Sequence, residues 1–286
     1  MVPRVAIVVA LSLLFNAASA MVEQGIAEVR FSYVADNGPE NWGKLSPNFN
    51  TCSTGKHQSP VDIMQNKTAQ RQELGPLSKE YYSVNATLMN SGYSIGVHYE
   101  GKAGELNING KKYLYKQMHW HTPSEHTING ERFAAELHLV HQTEEKDVAV
   151  VAILYKYGDP NPVVTKLMPY LPQLTRESCT SNPKTSDVDV GMMDRDYSRQ
   201  PLQGYYRYHG SLTTPPCSEN VVWTVLARVR SISEEQVTAL RAPLCKDCKF
   251  NSRPVQPLND RKVELFKVHK KGRVEAYKNK FVPGSI

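Results

Sequence analysis

The segment ELNINGKKYLYKQMHWH (105–121) constrains the fold more than any other stretch of the chain. Asn109-Gly110 divides it into two strand-like runs. Asn and Gly both tolerate the positive φ that a two-residue turn requires, so the segment reads as a β-hairpin. The same signal recurs at Asn129-Gly130. Other short runs, SIGVHYE (94–100), FAAELHLVHQ (133–142) and VAVVAILYKYG (148–158), are bounded by Gly, Pro, Asn and Asp. The continuous apolar stretches VAVVAIL and VVWTVLA (221–227) predict strands buried on both faces. Helical signals are few. One covers Val163 to Leu171, and another opens at Ser233-Glu234-Glu235-Gln236 with an N-cap serine and acids in its first turn. The polar stretch from about 174 to 200 reads as loop. There is no internal repeat, and the chain is expected to form a single, mainly β domain.

The hairpin ends in an H-x-H pair, His119 and His121. On an extended strand, side chains alternate, so both imidazoles share one face. His138 in AAELHLVH, on a neighbouring strand, would complete three neutral nitrogen ligands. Three protein ligands leave one tetrahedral position open, which is the arrangement of a catalytic rather than a structural zinc site. The alternative is that these are ordinary half-exposed strand histidines, and the surrounding residues decide between the two.

Arg4 precedes an apolar run from Val5 to Phe15, and Ala18-Ser19-Ala20 is a small-residue cleavage site. Residues 1–20 therefore read as a secretory signal peptide, leaving 21–286 as the mature domain. The run is too short for a membrane span, and no later segment offers eighteen consecutive apolar residues. The expected destination is the secretory pathway: extracellular, vacuolar or another endomembrane-delivered compartment. The two N-x-T acceptors, Asn66 and Asn85, become glycosylation candidates on that route. The net charge of +6 is dispersed among 34 basic and 28 acidic residues. Its densest cluster, KVHKKGR (267–273), lacks a recognised motif or interleaved aromatics, so no nucleic-acid partner is expected. Five cysteines allow at most two internal disulfides. Cys245 and Cys248 form a C-x-x-C that reads as a local loop disulfide or as thiols, and Cys179 has no evident partner. Oligomeric state is left open.

Taken together, these segments resemble the α-class carbonic anhydrases, in particular the secreted members of plants. The resemblance runs through nearly the whole mature chain. Its blocks are FSYVADNGPENWGKL (31–45), QSPVDI (58–63), QMHWHTPSEHTINGERFAAELHLVH (117–141), YHGSLTTPPCSENVVWTVL (208–226) and NSRPVQPL (251–258). It implies a large twisted, mostly antiparallel sheet of about ten strands with short peripheral helices, and a cone-shaped cleft with Zn²⁺ at its floor. It further implies a lyase that converts carbon dioxide reversibly to bicarbonate and a proton. His119, His121 and His138 correspond to the metal ligands. Gln117, Glu136 and the backbone carbonyl of Asn251 correspond to their hydrogen-bond partners. Thr213 matches the gatekeeper hydroxyl and Glu125 the acceptor of its proton. Val140, Val150, Leu212, Thr214, Val221 and Trp223 match the substrate pocket, although each apolar member is also an ordinary core residue. Cys52 and Cys217 match the disulfide of extracellular members, and Tyr33 matches an anchor of the proton wire.

The chain departs from the pattern at one functional position. Asn90-Ser91-Gly92-Tyr93-Ser94-Ile95 carries tyrosine where fast members carry a proton-shuttling histidine, and Ser91 and Gly96 stand where asparagines are common. A phenol with pKa near 10 does not cycle its proton efficiently at neutral pH, whereas imidazole does. Intact zinc chemistry with slow proton export is therefore expected, with His98 as a weak substitute. The competing reading is a storage or binding protein of the same fold with reduced catalysis, as in tuber proteins that resemble this family.

Overall fold

The computed structural model describes residues 29–174, 186–193 and 204–268. The proposed signal peptide, Cys179 and most of the KVHKKGR run lie outside them. Sixteen strands are present among the described residues: β1 (Asp62–Ile63), β2 (Ala69–Gln70), β3 (Ser78–Tyr81), β4 (Val84–Asn90), β5 (Ile95–Tyr99), β6 (Gly104–Ile108), β7 (Lys111–His121) and β8 (Thr127–Ile128), followed by β9 (Glu131–Arg132), β10 (Ala135–Gln142), β11 (Val148–Tyr157), β12 (Ser186–Met193), β13 (Gly204–Ser211), β14 (Glu219–Leu226), β15 (Arg230–Ile232) and β16 (Glu264–Lys267). Ten of them form the path β12-β4-β5-β7-β10-β11-β14-β13-β16-β2, and β3, β6 and β15 pair off it. A second, three-stranded sheet joins β1, β8 and β9. The large sheet is mixed, because β11 pairs in parallel with β14 and β15, and β16 with β2. The mainly β expectation holds, with helices confined to short peripheral pieces.

Local chemistry explains the turns. Asn109 and Gly110 have φ of 53° and 81°, and Asn129 and Gly130 have 51° and 80°. Those values are the paired left-handed geometry of a type I′ turn, and they join β6 to β7 and β8 to β9. The apolar run 149–154 in β11 is buried throughout, between β10 and β14. The helix Glu234–Arg241 starts at Ser233 with a reciprocal capping box to Gln236. Gln236 also bonds the backbone of Asn161, the N-cap of the helix Pro162–Leu167, so one side chain fixes both helix starts. That second helix is shorter than the 163–171 signal. It stops at Leu167, and Leu171–Gln173 continue as a separate 3-10 turn carrying Pro172.

The loop expectation for 174–200 is corrected at residues 186–193, which form β12 at the end of the sheet, antiparallel to β4. Alternation is visible there after the fact, with Asp187 and Asp189 exposed and Val190 buried. The acids mask it in composition, yet charge on an outer strand is the usual means of discouraging edge-to-edge association. No helix among the described residues is long and apolar enough to cross a membrane. The side chains of Asn66 and Asn85 are both exposed.

Candidate metal centre

Strand β7 delivers the site through a parity switch. Tyr113 and Tyr115 are buried in the main core, and strict alternation would bury Gln117 next. Instead, Val140 pairs with Gln117 while His141 pairs with Tyr115, so Lys116 is an extra residue on β7. Such a bulge re-aims everything after it. Met118 and Trp120 now fill the core, and Gln117, His119 and His121 turn to the opposite face. On β10, Leu137 and Leu139 join the same core, and Glu136, His138 and Val140 face the other way. His138 lies directly opposite His119, and Glu136 opposite His121.

The three imidazoles converge. Ring centroids are 5.1 Å apart for His119–His121, 5.2 Å for His119–His138 and 4.6 Å for His121–His138. A ligand nitrogen from each lies within 4.8 Å of the others. Each ring is held by an acceptor at its other nitrogen. His119 Nδ1 donates to Gln117 Oε1 at 2.9 Å, His121 Nδ1 to the Asn251 carbonyl at 2.6 Å, and His138 Nε2 to Glu136 Oε1 at 2.7 Å. Carbonyl and carboxylate oxygens only accept, so these bonds fix the tautomers. Nε2 of His119 and His121 and Nδ1 of His138 are left with lone pairs turned to a common point. His121 Nε2 is buried with no hydrogen-bond partner. A buried orphan nitrogen beside two others of the same kind fits a tetrahedral metal ion with N donors, zinc above all.

Electrostatics keeps the rings in ligand form. Burial pushes the pKa of His119 far down, helped by His121 and His138, and also lowers His121 and His138. Glu136 behaves oppositely. Burial alone would raise it, but His126 and His138 more than reverse that and hold its carboxyl well below the usual range. Its oxygens accept from the backbone N–H of Glu125 and His126 at 2.8 and 2.7 Å and from His126 Nδ1 at 2.6 Å, besides His138.

Glu125 is fully buried, and desolvation pushes it up to about 7. Its Oε1 accepts from the Arg253 backbone N–H at 2.9 Å. Its Oε2 lies 3.5 Å from His121 Nε2 and makes no bond of full hydrogen-bond geometry. The Thr213 hydroxyl nevertheless stands beside this carboxylate and lowers its pKa as a donor does. Thr213 and Thr214 lie in the loop after β13. That loop is pinned by the Cys217 N–H to the Thr214 carbonyl at 2.9 Å, and the Cys52–Cys217 disulfide is present.

Val150, Val221 and Trp223 pack in one apolar cluster, with Val140 and Leu212 against it. The Trp223 ring is 4.9 Å from that of His138. The five apolar residues anticipated for the pocket therefore share one cluster, which meets the histidines at Trp223. Tyr33 has a buried hydroxyl without a partner, and its pKa is raised by burial first and then by Glu125, Cys248 and Tyr93. Tyr93 is 36 % exposed and packs on Phe31 at 4.8 Å. Its surroundings push the phenol above its ordinary value, further from neutrality.

Sequence reasoning missed the layer behind the rings. His126 bonds Glu136 on one side and, through Nε2, the Tyr208 hydroxyl at 2.6 Å on the other; Tyr208 meets Ser59 Oγ at 2.9 Å. The Arg253 guanidinium, 1 % exposed, bonds Gln58 Oε1 and the carbonyls of Ser59 and Cys52. All these residues sit inside or beside the motif blocks, and His126 is the last residue of HTPSEH. That adjacency was the available signal. A cavity of about 470 Å³ lined by Leu171, Leu174 and Ala239 belongs to the main core's side of the sheet, away from the histidines.

These pKa shifts carry a stability consequence for metal-free protein. His119, His121 and His138 are held below 6.5 in the fold, and burial takes His141, bonded to the Tyr81 hydroxyl, to about 3. The unfolded chain takes up protons near 6.5 that the fold refuses, so stability falls as pH drops through that value. Glu125 acts oppositely: its raised pKa adds stability that is full below the ordinary carboxylate range and is lost as pH rises to about 7. Four groups outweigh one. Thermal unfolding in chelator is expected to show Tm dropping from pH 7.5 to 5.5; a flat or rising Tm would contradict the assignment of neutral buried imidazoles.

The sequence profile of the eukaryotic-type carbonic anhydrase family matches residues 37–267. The chain is 42 % identical over 242 residues to alpha carbonic anhydrase 7 of Arabidopsis thaliana, covering 84 % of this chain and 86 % of that protein. It is also 39 % identical over 257 residues to dioscorin dioA3 of Dioscorea japonica, covering 89 % and 92 %. A crystal structure of dioscorin complexed with ascorbate superposes with a TM-score of 0.79 at 39 % identity, covering 84 % of this chain and 99 % of the other. The chain belongs to the α-carbonic anhydrase family, which typically binds zinc and acts on a small-molecule substrate.

Proposed function

We propose that the protein is a secreted, zinc-dependent lyase that interconverts carbon dioxide with bicarbonate and a proton. The observation that carries this reading is the set of three tautomer-fixed imidazoles whose free nitrogens converge on one point beside Glu125, Thr213 and an apolar wall. His119, His121 and His138 would hold Zn²⁺, which supplies a nucleophile near neutral pH by lowering the pKa of a bound water. The chain's own residues do the rest. Gln117, Glu136 and the Asn251 carbonyl orient the rings. Thr213 donates its proton toward Glu125, so its oxygen is free only to accept, and ligands with no proton to give are disfavoured. Val140, Val150, Leu212, Val221 and Trp223 offer carbon dioxide, an apolar molecule, a desolvated surface, and Thr214 lines the same wall.

Proton export is the weak step in this proposal. Tyr93 stands at the shuttle position with its pKa raised, and Tyr33 anchors part of the same route. Tyr93→His is expected to raise kcat in dilute buffer about tenfold with kcat/KM unchanged. Stopped-flow hydration across a buffer series checks it, and an unchanged kcat would sink the role of Tyr93. Residues 1–20 as signal peptide, 21–286 as the mature domain and glycans at Asn66 and Asn85 complete the proposal. The disulfide supports an oxidising route.

A second reading has its own support. The dioscorin relatives and the loss of histidine at position 93 favour a storage or binding protein with reduced catalysis. Retention of all three imidazoles, Thr213 and Glu125 weighs toward the enzyme. Zinc analysis of purified protein separates the two: one ion per chain, lost on chelation together with hydration, supports the lyase.

A further inference from the structure

On β5, Ile95 and Val97 fill the main core, which turns Gly96 and His98 to the face that carries the three imidazoles. Gly96 lies directly opposite His119, and His98 directly opposite Gln117, whose Oε1 holds the His119 ring. A Cβ at position 96 would stand 3.0 Å from the Met118 carbonyl and 3.4 Å from His119 Cβ. Glycine there means that β5 itself puts no side chain on this face between His98 and the position opposite His119. His98 is exposed to solvent, whereas His119 is half-buried. One face of one strand pair thus runs from the metal ligand to bulk water, with a titratable imidazole at its outer end.

We propose that His98 is the proton relay of this chain, on the wall formed by β5 rather than at the position occupied by Tyr93. The proposal rests on the zinc-lyase reading and deepens it. A water molecule of the cleft gives its proton to one ring nitrogen of His98, an N–H bond forming as the O–H bond breaks, and the hydroxide left behind stays in the cleft as the nucleophile for the next turnover. The resulting imidazolium then releases a proton to a buffer base in solvent, which restores neutral His98. No oxidant or further reactant is needed.

The neighbours of His98 suit this cycle. Thr87 on β4 and Gln117 on β7 flank it in the sheet, and neither titrates. The charged or titratable groups that act on it are Asp187 of β12 and His119 of β7. Partial burial lowers its pKa below 6.5, and Asp187 partly restores it. An ordinary imidazole changes charge near neutrality, and the lowered pKa makes His98 a weaker proton acceptor than an unperturbed one. Slow export and a working relay are therefore compatible.

The test is His98→Gln in zinc-loaded enzyme. The expected result is a roughly tenfold lower kcat in dilute buffer, an unchanged kcat/KM, and recovery on adding free imidazole. A separate readout is an NMR titration of the His98 ring in zinc-loaded protein, expected to show the ring taking up a proton with a midpoint below the ordinary histidine value. An unchanged kcat with normal kcat/KM overturns the relay and leaves the lyase reading standing, as does a ring that stays neutral down to pH 5. Absence of hydration in the parent enzyme overturns both. An equal fall in kcat and kcat/KM without imidazole recovery indicates a structural role and also overturns the relay.

Discussion

Replacing His121 with alanine is expected to abolish zinc retention and carbon dioxide hydration together. His121 is buried, with Nδ1 anchored on the Asn251 carbonyl and Nε2 buried and unpartnered. Two remaining imidazoles cannot close a site that has only three protein ligands. Loss of a mere hydrogen-bond partner of a ligand costs 10–100-fold, so loss of the ligand is expected to cost more than about 100-fold in affinity and activity. Metal analysis after dialysis, paired with stopped-flow hydration, checks this. A variant that keeps one tightly bound zinc and measurable hydration would place the metal elsewhere.

The second large effect falls on stability. His126 lies between the Glu136 carboxylate and the Tyr208 hydroxyl, with all three buried. His126→Phe removes the ring donor to a carboxylate that has no access to water and also strips Tyr208 of a partner. Losing a charge-assisted hydrogen bond to a buried carboxylate, together with the buried bond to Tyr208, costs about 3 kcal/mol. For a domain of this size, that corresponds to a fall in Tm of about 10 °C. Urea and thermal unfolding measure it. The variant should also bind zinc less well, because Glu136 both receives His126 and orients His138. A cost below about 1 kcal/mol would mean that the backbone N–H groups of Glu125 and His126 satisfy Glu136 without the ring.

What the sequence disclosed follows physical range. Asn109-Gly110 and Asn129-Gly130 announce their turns because the conformation is demanded locally. The strands of QMHWH and AAELHLVH were legible because alternation is local too, and two histidines two residues apart must share a face unless a bulge intervenes. The bulge at Lys116 was written in the same segment: Tyr113 and Tyr115 keep one parity, Met118 and Trp120 the other. Recognition of motif blocks then carried the pairing of Thr213 with Glu125 and of Cys52 with Cys217, which no local rule could have supplied.

The network behind the site was not legible for the converse reason. His126 meets Tyr208 across 82 positions, and Arg253 meets Gln58 across 195. Periodicity says that these residues are buried or polar, but not what they touch. Strand β12 escaped because its pairing energy comes from the backbone ladder with β4, while its acidic side chains give it the composition of a loop. His98 stood in plain view as a strand residue. Its significance depends on the register that sets Gly96 against His119.

The most direct test of the central claim is stopped-flow carbon dioxide hydration on purified, zinc-analysed protein, measured before chelation, after chelation and after zinc is restored. Hydration that disappears with the metal, returns with it at one zinc per chain and rises with buffer concentration is the predicted result. One tightly bound zinc per chain with no hydration at any buffer concentration would contradict the account and leave a binding protein on a carbonic anhydrase fold.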